Sequence, residues 1–314
     1  LQEAKGKPPL LWARAAWAGS QRLTAHWTVD ATPDAASLMA RLRAGLSLSA
    51  SGFPFWTCTP APHLPGQDLA VRVRACQIAF LAPLAYWDGS LGHLGREEQA
   101  IVREYARLRN QWAPYLHASA VSSARTGLPL ARPLVVDYID DRTTWWLDRE
   151  YLLGPHLLVA AACEAEADLA IYLPEGTWVD YWTDEVHRGP AWLQYPVTLA
   201  RLPIFVRAGA IIPAQAPGHT VGLQDGEALT LHIYPQAGGA MTVYNPRGQA
   251  HRLLLQIAGD ALDLHVPALG VDCRVVLHAL PAPTAVTVDG EPAPCTWEAG
   301  QATLFLGRGR RLHY

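Results

Sequence analysis

The feature that most constrains this chain is a change of period at Gly127. Before it, short apolar segments alternate with helical patterns; after it, strand-length runs follow one another with only turn residues between them. Alternation of the first kind belongs to βα units around a parallel sheet, and the second kind belongs to antiparallel β modules. In the first part, apolar segments at 10–19, 25–30, 48–58 and 75–87 read as strands. They amount to about four of the eight strands of a (β/α)8 barrel. Between the second and third, Thr32 reads as a helix N-cap and Pro33 as the first helical position, with Leu38, Leu42 and Leu46 at helical spacing. A longer helical pattern runs from Glu97 to Arg125 with Ile101, Tyr105, Leu108 and Trp112 on one face; Pro114 should interrupt it and Gly127 should end it.

Beyond Gly127, "LARPLVVDY", "EYLLGPHLLVAA", "DLAIYLPEGTWVDYW" and "LPIFVRAGAIIP" predict one β module. After the Pro/Gly-rich "AQAPGH", seven further runs from "LTLHIYP" to "QATLFLG" predict a small sandwich. The expected architecture is therefore the C-terminal half of a (β/α)8 TIM barrel (1–127) followed by two β-sandwich domains (128–216 and 217–314).

The candidate site lies where the first segments end. "LLWARAAWAG" carries Arg14, "AHWTVD" carries Trp27 and Asp30, and "SASGFPFW" carries Phe53 and Trp56. A (β/α) barrel keeps its chemistry at the carboxyl ends of its strands. Aromatic faces with one carboxylate and one cation suit a sugar ring, which offers an apolar face and a rim of hydroxyls.

Composition removes other classes of function. A net charge of -3 without Lys/Arg clusters carries no nucleic-acid footprint. No uncharged apolar run approaches the roughly 20 residues of a membrane span. Nor does the polar "LQEAKGKPP" opening read as a signal peptide; without an initiator Met, the chain is expected to have lost or omitted an upstream segment. Cys58, Cys76, Cys163, Cys273 and Cys295 are odd in number and widely spaced, which indicates neither a disulfide framework nor a zinc site and favours a reducing, cytoplasmic setting. His26 and His63 follow no metal-ligand spacing, and "AGSQ" and "DGS" lack a serine-hydrolase elbow.

Seven collinear segments, "ARAAWAGSQR", "HWTVD", "GLSLSASGFPFW", "LRNQWAPYLHASAVSSARTGLPLARPL", "DREYLLGPHLLVA", "YLPEGTWVDYWT" and "LPIFVRAGAIIP", resemble the C-terminal portion of glycoside hydrolase family 31, a family of retaining α-glucosidases, α-xylosidases and related enzymes. The resemblance implies that Asp30, ending an H-W-x-x-D stretch, is the general acid/base. It also implies that Arg14 contacts the sugar, that Trp27, Phe53 and Trp56 line the pocket, that the β modules are the family's proximal and distal C-terminal domains, and that no cofactor or metal is required. An aromatic, partly dry wall raises a carboxyl's pKa toward the acid role, whereas a guanidinium would lower it, so Arg14 should meet the sugar and not Asp30.

The departures matter as well. The family's nucleophilic Asp lies upstream of the Arg-bearing strand and is not among these residues, although a retaining mechanism needs two carboxyl groups about 5 to 5.5 Å apart. Thr59 and Pro60 replace an acidic turn, Asp88 stands near an expected His, and "YNPRG" (244–248) replaces an acidic turn. The expected function is that of a retaining α-glycosidase acting on α-linked oligosaccharides or glycosides, silent without the nucleophile-bearing barrel half or a partner subunit. The alternative is a non-catalytic relative that binds carbohydrate or protein through a decayed pocket.

Overall fold

The computed structural model describes residues 11–22, 25–28, 34–58, 68–87, 92, 94–163, 167–218, 227–281, 285–298, 300–307 and 311–313. Its N-terminal layer is a parallel sheet of β1 (Trp12–Ala13), β2 (Ala25–Trp27) and β3 (Trp56–Thr57), in that order. Register pairs Trp12 with Ala25 and His26 with Trp56.

The crossover from β2 to β3 is helix α1 (Ala35–Ala50). Its cap is Asp34, whose Oδ1 accepts the Ser37 N–H at 2.8 Å, and not the expected Thr32. An aspartate placed three residues before a free amide satisfies an orphan donor of the first turn directly. Thr32 and Pro33 lie outside the described residues. The expected strand over 48–58 is also shorter than its apolar run, because α1 continues to Ala50 and closes in a Schellman motif. Gly52 takes φ 85°, its N–H donates to the Ser49 carbonyl, and the Phe53 N–H donates to that of Leu48 at 2.9 Å. Only Trp56 and Thr57 remain as strand.

A second correction concerns 75–87, expected as a strand. Helix α2 (Leu69–Phe80), capped by Asp68, takes up its first six residues. Val71, Val73, Ala75, Cys76, Ile78 and Ala79 are all buried, so the helix is apolar around most of its circumference and loses the periodicity that would mark it. The chain then returns to the sheet at Leu84, whose N–H donates to the Trp56 carbonyl at 3.1 Å.

Helices α3 (Arg96–Gln111) and α4 (Ala113–Thr126) follow the expected pattern. They break at Trp112, with Pro114 in the first turn of α4, where a missing N–H costs nothing, and they end at Gly127 with φ 78°.

Next comes a six-stranded sheet of order β4-β5-β6-β9-β7-β8. Its strands are β4 (Ala131–Pro133), β5 (Glu150–Leu153), β6 (Leu157–Ala160), β7 (Ala167–Asp180), β8 (Val186–Val197) and β9 (Ile204–Arg207). "LARPLVVDY" yields only β4 before the short helix α5 (Leu134–Asp137).

Two further sheets face each other beyond it. One has the order β10-β11-β15-β19-β18 and the other β12-β13-β14-β20-β16-β17. The first contains β10 (Ile211–Ala214), β11 (Leu229–Ile233), β15 (Cys273–Leu277), β18 (Cys295–Glu298) and β19 (Gln301–Gly307). The second contains β12 (Gly239–Tyr244), β13 (Ala250–Ala258), β14 (Ala261–His265), β16 (Thr287–Val288), β17 (Glu291–Pro292) and β20 (Arg311–His313). Strand β10 pairs with β11, so a segment on the N-terminal side of residue 216 is part of this sandwich. Among the described residues, no helix is long and apolar enough to cross a membrane.

Two positions yield measurable consequences. A Cβ on Gly45 of α1 would stand 2.5 Å from the Trp56 ring, which is 0% exposed and has no room to move. Gly45→Ala is therefore expected to destabilise by about 1 to 3 kcal/mol in chemical denaturation. Glu150 is 4% exposed, and burial pushes its carboxyl up to about 8, opposed only by the Tyr172 N–H at 3.1 Å. Because the folded value lies above the unfolded one, its contribution is complete below the ordinary carboxylate range and is lost as pH rises through about 8. Melting temperatures of the native chain should fall relative to Glu150→Gln between pH 6 and pH 9; parallel curves would contradict this assignment.

Candidate functional site

Parallel pairing places β1 and β2 side by side and presents their carboxyl ends together. Because Trp12 is level with Ala25, Trp12 and Trp27 point to the same face of the sheet, two positions apart. Their rings meet edge to face with centroids 5.5 Å apart. Tyr86, on the segment returning from α2, packs 5.3 Å from Trp12 and 5.4 Å from Trp27. Arg14 immediately follows β1, and its Cζ lies 4.6 Å from the centroid of the Trp27 ring. This cation–π contact holds the guanidinium beside the aromatic cluster.

The other face carries His26, Phe53 and Trp56. His26 is 2% exposed and meets the edge of Phe53 at 4.8 Å. Burial lowers its pKa, which leaves a neutral imidazole near pH 7. Trp56 packs against Gly45, and its Nε1 donates to Ser49 Oγ at 2.7 Å. It therefore belongs to the core, and the expectation that Trp56 walls a sugar pocket is corrected. Its pairing with His26, and not with Trp27, turns the indole toward α1.

A cavity of about 670 Å³ opens between the loop after β1 and the end of α1, bounded by Arg14, Trp17, His26, Trp27, Ser47 and Phe53. Arg14, Trp27 and Phe53 thus share one cavity, while Trp56 does not line it. Asp30 lies outside the described residues, three positions after Trp27; so do His63, Thr59, Pro60 and Asp88.

Trp12 and Tyr86 escaped the sequence reading. Trp12 had a legible signal, since it stands two residues before Arg14, on the strand that Arg14 follows, but Tyr86 reaches the cluster only through the path of α2. Nucleophilic thiols gain no support here, because Cys58 is buried and desolvation raises its pKa. Among the described residues, no group of three or more His, Cys, Asp or Glu is placed to hold a metal ion.

A parallel βα layer joined to β modules, with an arginine and aromatics at the strand ends, is the arrangement of an α/β domain followed by accessory β domains. Residues 1–119 match the glycosyl hydrolases family 31 TIM-barrel domain, and residues 127–212 match the glycosyl hydrolase family 31 C-terminal domain. The chain belongs to glycoside hydrolase family 31. An alpha-xylosidase of Saccharolobus solfataricus is 30% identical over 255 residues, which cover 77% of this chain and 35% of the relative. Alpha-glucosidase 2 of Bacillus thermoamyloliquefaciens is 29% identical over 331 residues, covering 96% of this chain and 41% of the relative. The chain thus spans well under half the length of these curated relatives.

Among solved structures, the cycloalternan-forming enzyme from Listeria monocytogenes superposes with a TM-score of 0.88 at 23% identity, covering 96% of this chain and 33% of that one. The Flavobacterium johnsoniae GH31 dextranase complexed with isomaltotriose gives 0.86 at 23%, covering 96% and 45%. At such identities the likeness is one of fold.

Proposed function

We propose that this chain carries the acid/base side of a retaining α-glycosidase site, on a parallel sheet that forms the second part of a (β/α)8 barrel. The observation that carries the reading is Arg14 stacked on Trp27 at the carboxyl ends of neighbouring parallel strands, three residues before Asp30. In this reading Asp30 protonates the departing glycosidic oxygen and then takes a proton from the attacking water. A second carboxylate, contributed from outside these 314 residues, attacks the anomeric carbon. Arg14 holds a hydroxyl of the cleaved sugar, and Trp27 with Trp12 and Tyr86 supplies the apolar wall. Phe53 closes the far side of the cavity, and Trp56 has no part in binding. The substrate is an α-linked glucoside or xyloside, the class that the relatives' names carry. The β sheets after residue 127 act as the family's proximal and distal C-terminal domains. Cys58, Cys76, Cys163 and Cys273 are buried and in no disulfide, which fits a reducing compartment such as the cytoplasm.

Two measurements test this. The 314-residue chain alone should release no nitrophenol from 4-nitrophenyl α-glucoside or α-xyloside, and clear release would overturn the half-site reading. Completed with the N-terminal part of a family relative, it should turn over. Asp30→Ala should then lower kcat by about 10²- to 10⁴-fold. Azide should restore the rate and give an α-glycosyl azide, because it intercepts the glycosyl-enzyme without needing a proton. A completed protein that binds oligosaccharide without turnover would favour the non-catalytic alternative.

A further inference from the structure

A second cavity, of about 430 Å³, lies between the segment after α5 and the β7–β8 hairpin, away from the residues assigned above. It is lined by Asp137 to Asp141, Tyr172, Glu175 and Pro190. Large apolar side chains stand in solvent at its lining or next to it: Ile139, which lines it, is 59% exposed, Trp145, bonded to Ile139, 52%, and Trp192, packed on the lining Tyr172, 56%. Exposed aromatics gathered next to one cavity mark a binding surface, because scattered single residues are the norm elsewhere.

These indoles are held in place. Trp145 Nε1 donates to the Ile139 carbonyl at 2.9 Å, which fixes the ring against one rim. Trp192 is the cross-strand partner of Tyr172, which lines the cavity, with ring centroids 5.2 Å apart. Tyr172 is 6% exposed, and its Oη donates to Asp141 Oδ2.

The charge of the cavity decides what it takes. Asp137 is compensated by Arg132 at 3.1 Å and Arg207 at 3.5 Å. Asp141 accepts the Thr143 N–H as well as the Tyr172 hydroxyl. Asp140 and Glu175 remain solvent-exposed. The rim is thus mildly acidic, which opposes phosphates and nucleic acids. Among the described residues, no trio of acids converges as a cation site would require. What remains is a polar cavity lined by carboxylates, Tyr138 and Tyr172, next to solvent-exposed indoles, a combination complementary to a neutral polyol.

We propose that this cavity, flanked by Trp145 and Trp192, is a second saccharide-binding site that takes a neutral α-linked oligosaccharide. The α-linkage rests on the function proposed above; the neutral sugar class rests on the cavity itself. The site holds a remote stretch of the chain being processed, or a neighbouring chain, and takes no part in bond cleavage.

Calorimetric titration of isomaltotriose and of maltotriose into the 314-residue chain tests it. At least one of them should bind in the millimolar range, and Trp145→Ala and Trp192→Ala should each weaken binding about tenfold while leaving the circular dichroism spectrum unchanged. Arg14→Ala should leave this affinity intact. No binding, or binding indifferent to both tryptophans, overturns the proposal. Loss of binding in Arg14→Ala alone would also overturn it, while leaving the first site's reading untouched. Conversely, tryptophan-dependent binding in a completed protein that never hydrolyses a glycoside would sink the first reading and keep the second. Salt-sensitive capture of a lysine-rich peptide by the same tryptophans, with no sugar bound, would reassign the cavity to a basic protein partner.

Discussion

The structure depends on how the helical layer is fastened to the six-stranded sheet. Buried polar groups make the joint. Arg74 and Gln77 of α2 are fully buried, and they donate to the Thr198 and Leu199 carbonyls in the turn between β8 and β9, each at 2.9 Å. Tyr115 of α4 donates to the Leu153 carbonyl and accepts the His156 N–H, and Tyr151 of β5 donates back to the Leu81 carbonyl. Each of these groups would be costly to bury alone, so the two layers order one another. Leu81 belongs to the segment that leads to Leu84 and Tyr86, so the same joint helps to set the position of the aromatic cluster.

This coupling explains which parts of the fold could be read from the sequence. The α3–α4 break was legible because Pro114 and Gly127 act locally, through a missing donor and a positive φ. Strands such as β11 and β13 were legible because they alternate between core and solvent and are bounded by turn residues. Helix α2 was not, since it is packed against several neighbours and its sequence reads as one apolar run. Strand β8 fails for the opposite reason: it is exposed along most of its length and has little hydrophobic signal to read.

The site divides in the same way. Arg14 and Trp27 could be placed because both sit at strand ends in a recognisable order. The role of Trp56 could not, since it depends on register: a residue level with His26 faces α1, and one level with Trp27 runs on the other face. A shift of one position in a parallel strand separates core from pocket wall. Tyr86 depends on tertiary path alone.

The sandwich is tied to the six-stranded sheet by a different device. Asp184, in the β7–β8 turn with φ 60°, accepts from Gln301 at 2.7 Å and lies 3.0 Å from His278 Nδ1. His278 Nε2 in turn lies 2.9 Å from His232 Nδ1, and the His278 ring stacks on Tyr234. One tautomer satisfies the whole series: His278 donates to Asp184 through Nδ1 and accepts from His232 through Nε2. Burial holds the pKa of His232 down to about 4, so His232 stays neutral across the neutral range. The turn that carries Asp184 also closes the β7–β8 hairpin, whose strands bear Tyr172 and Trp192. A series of hydrogen bonds anchored in the sandwich therefore reaches the turn of the hairpin that bears Tyr172 and Trp192, just as the joint between the helices and the six-stranded sheet reaches the segment that leads to Tyr86. Both candidate sugar surfaces thus adjoin polar contacts between layers.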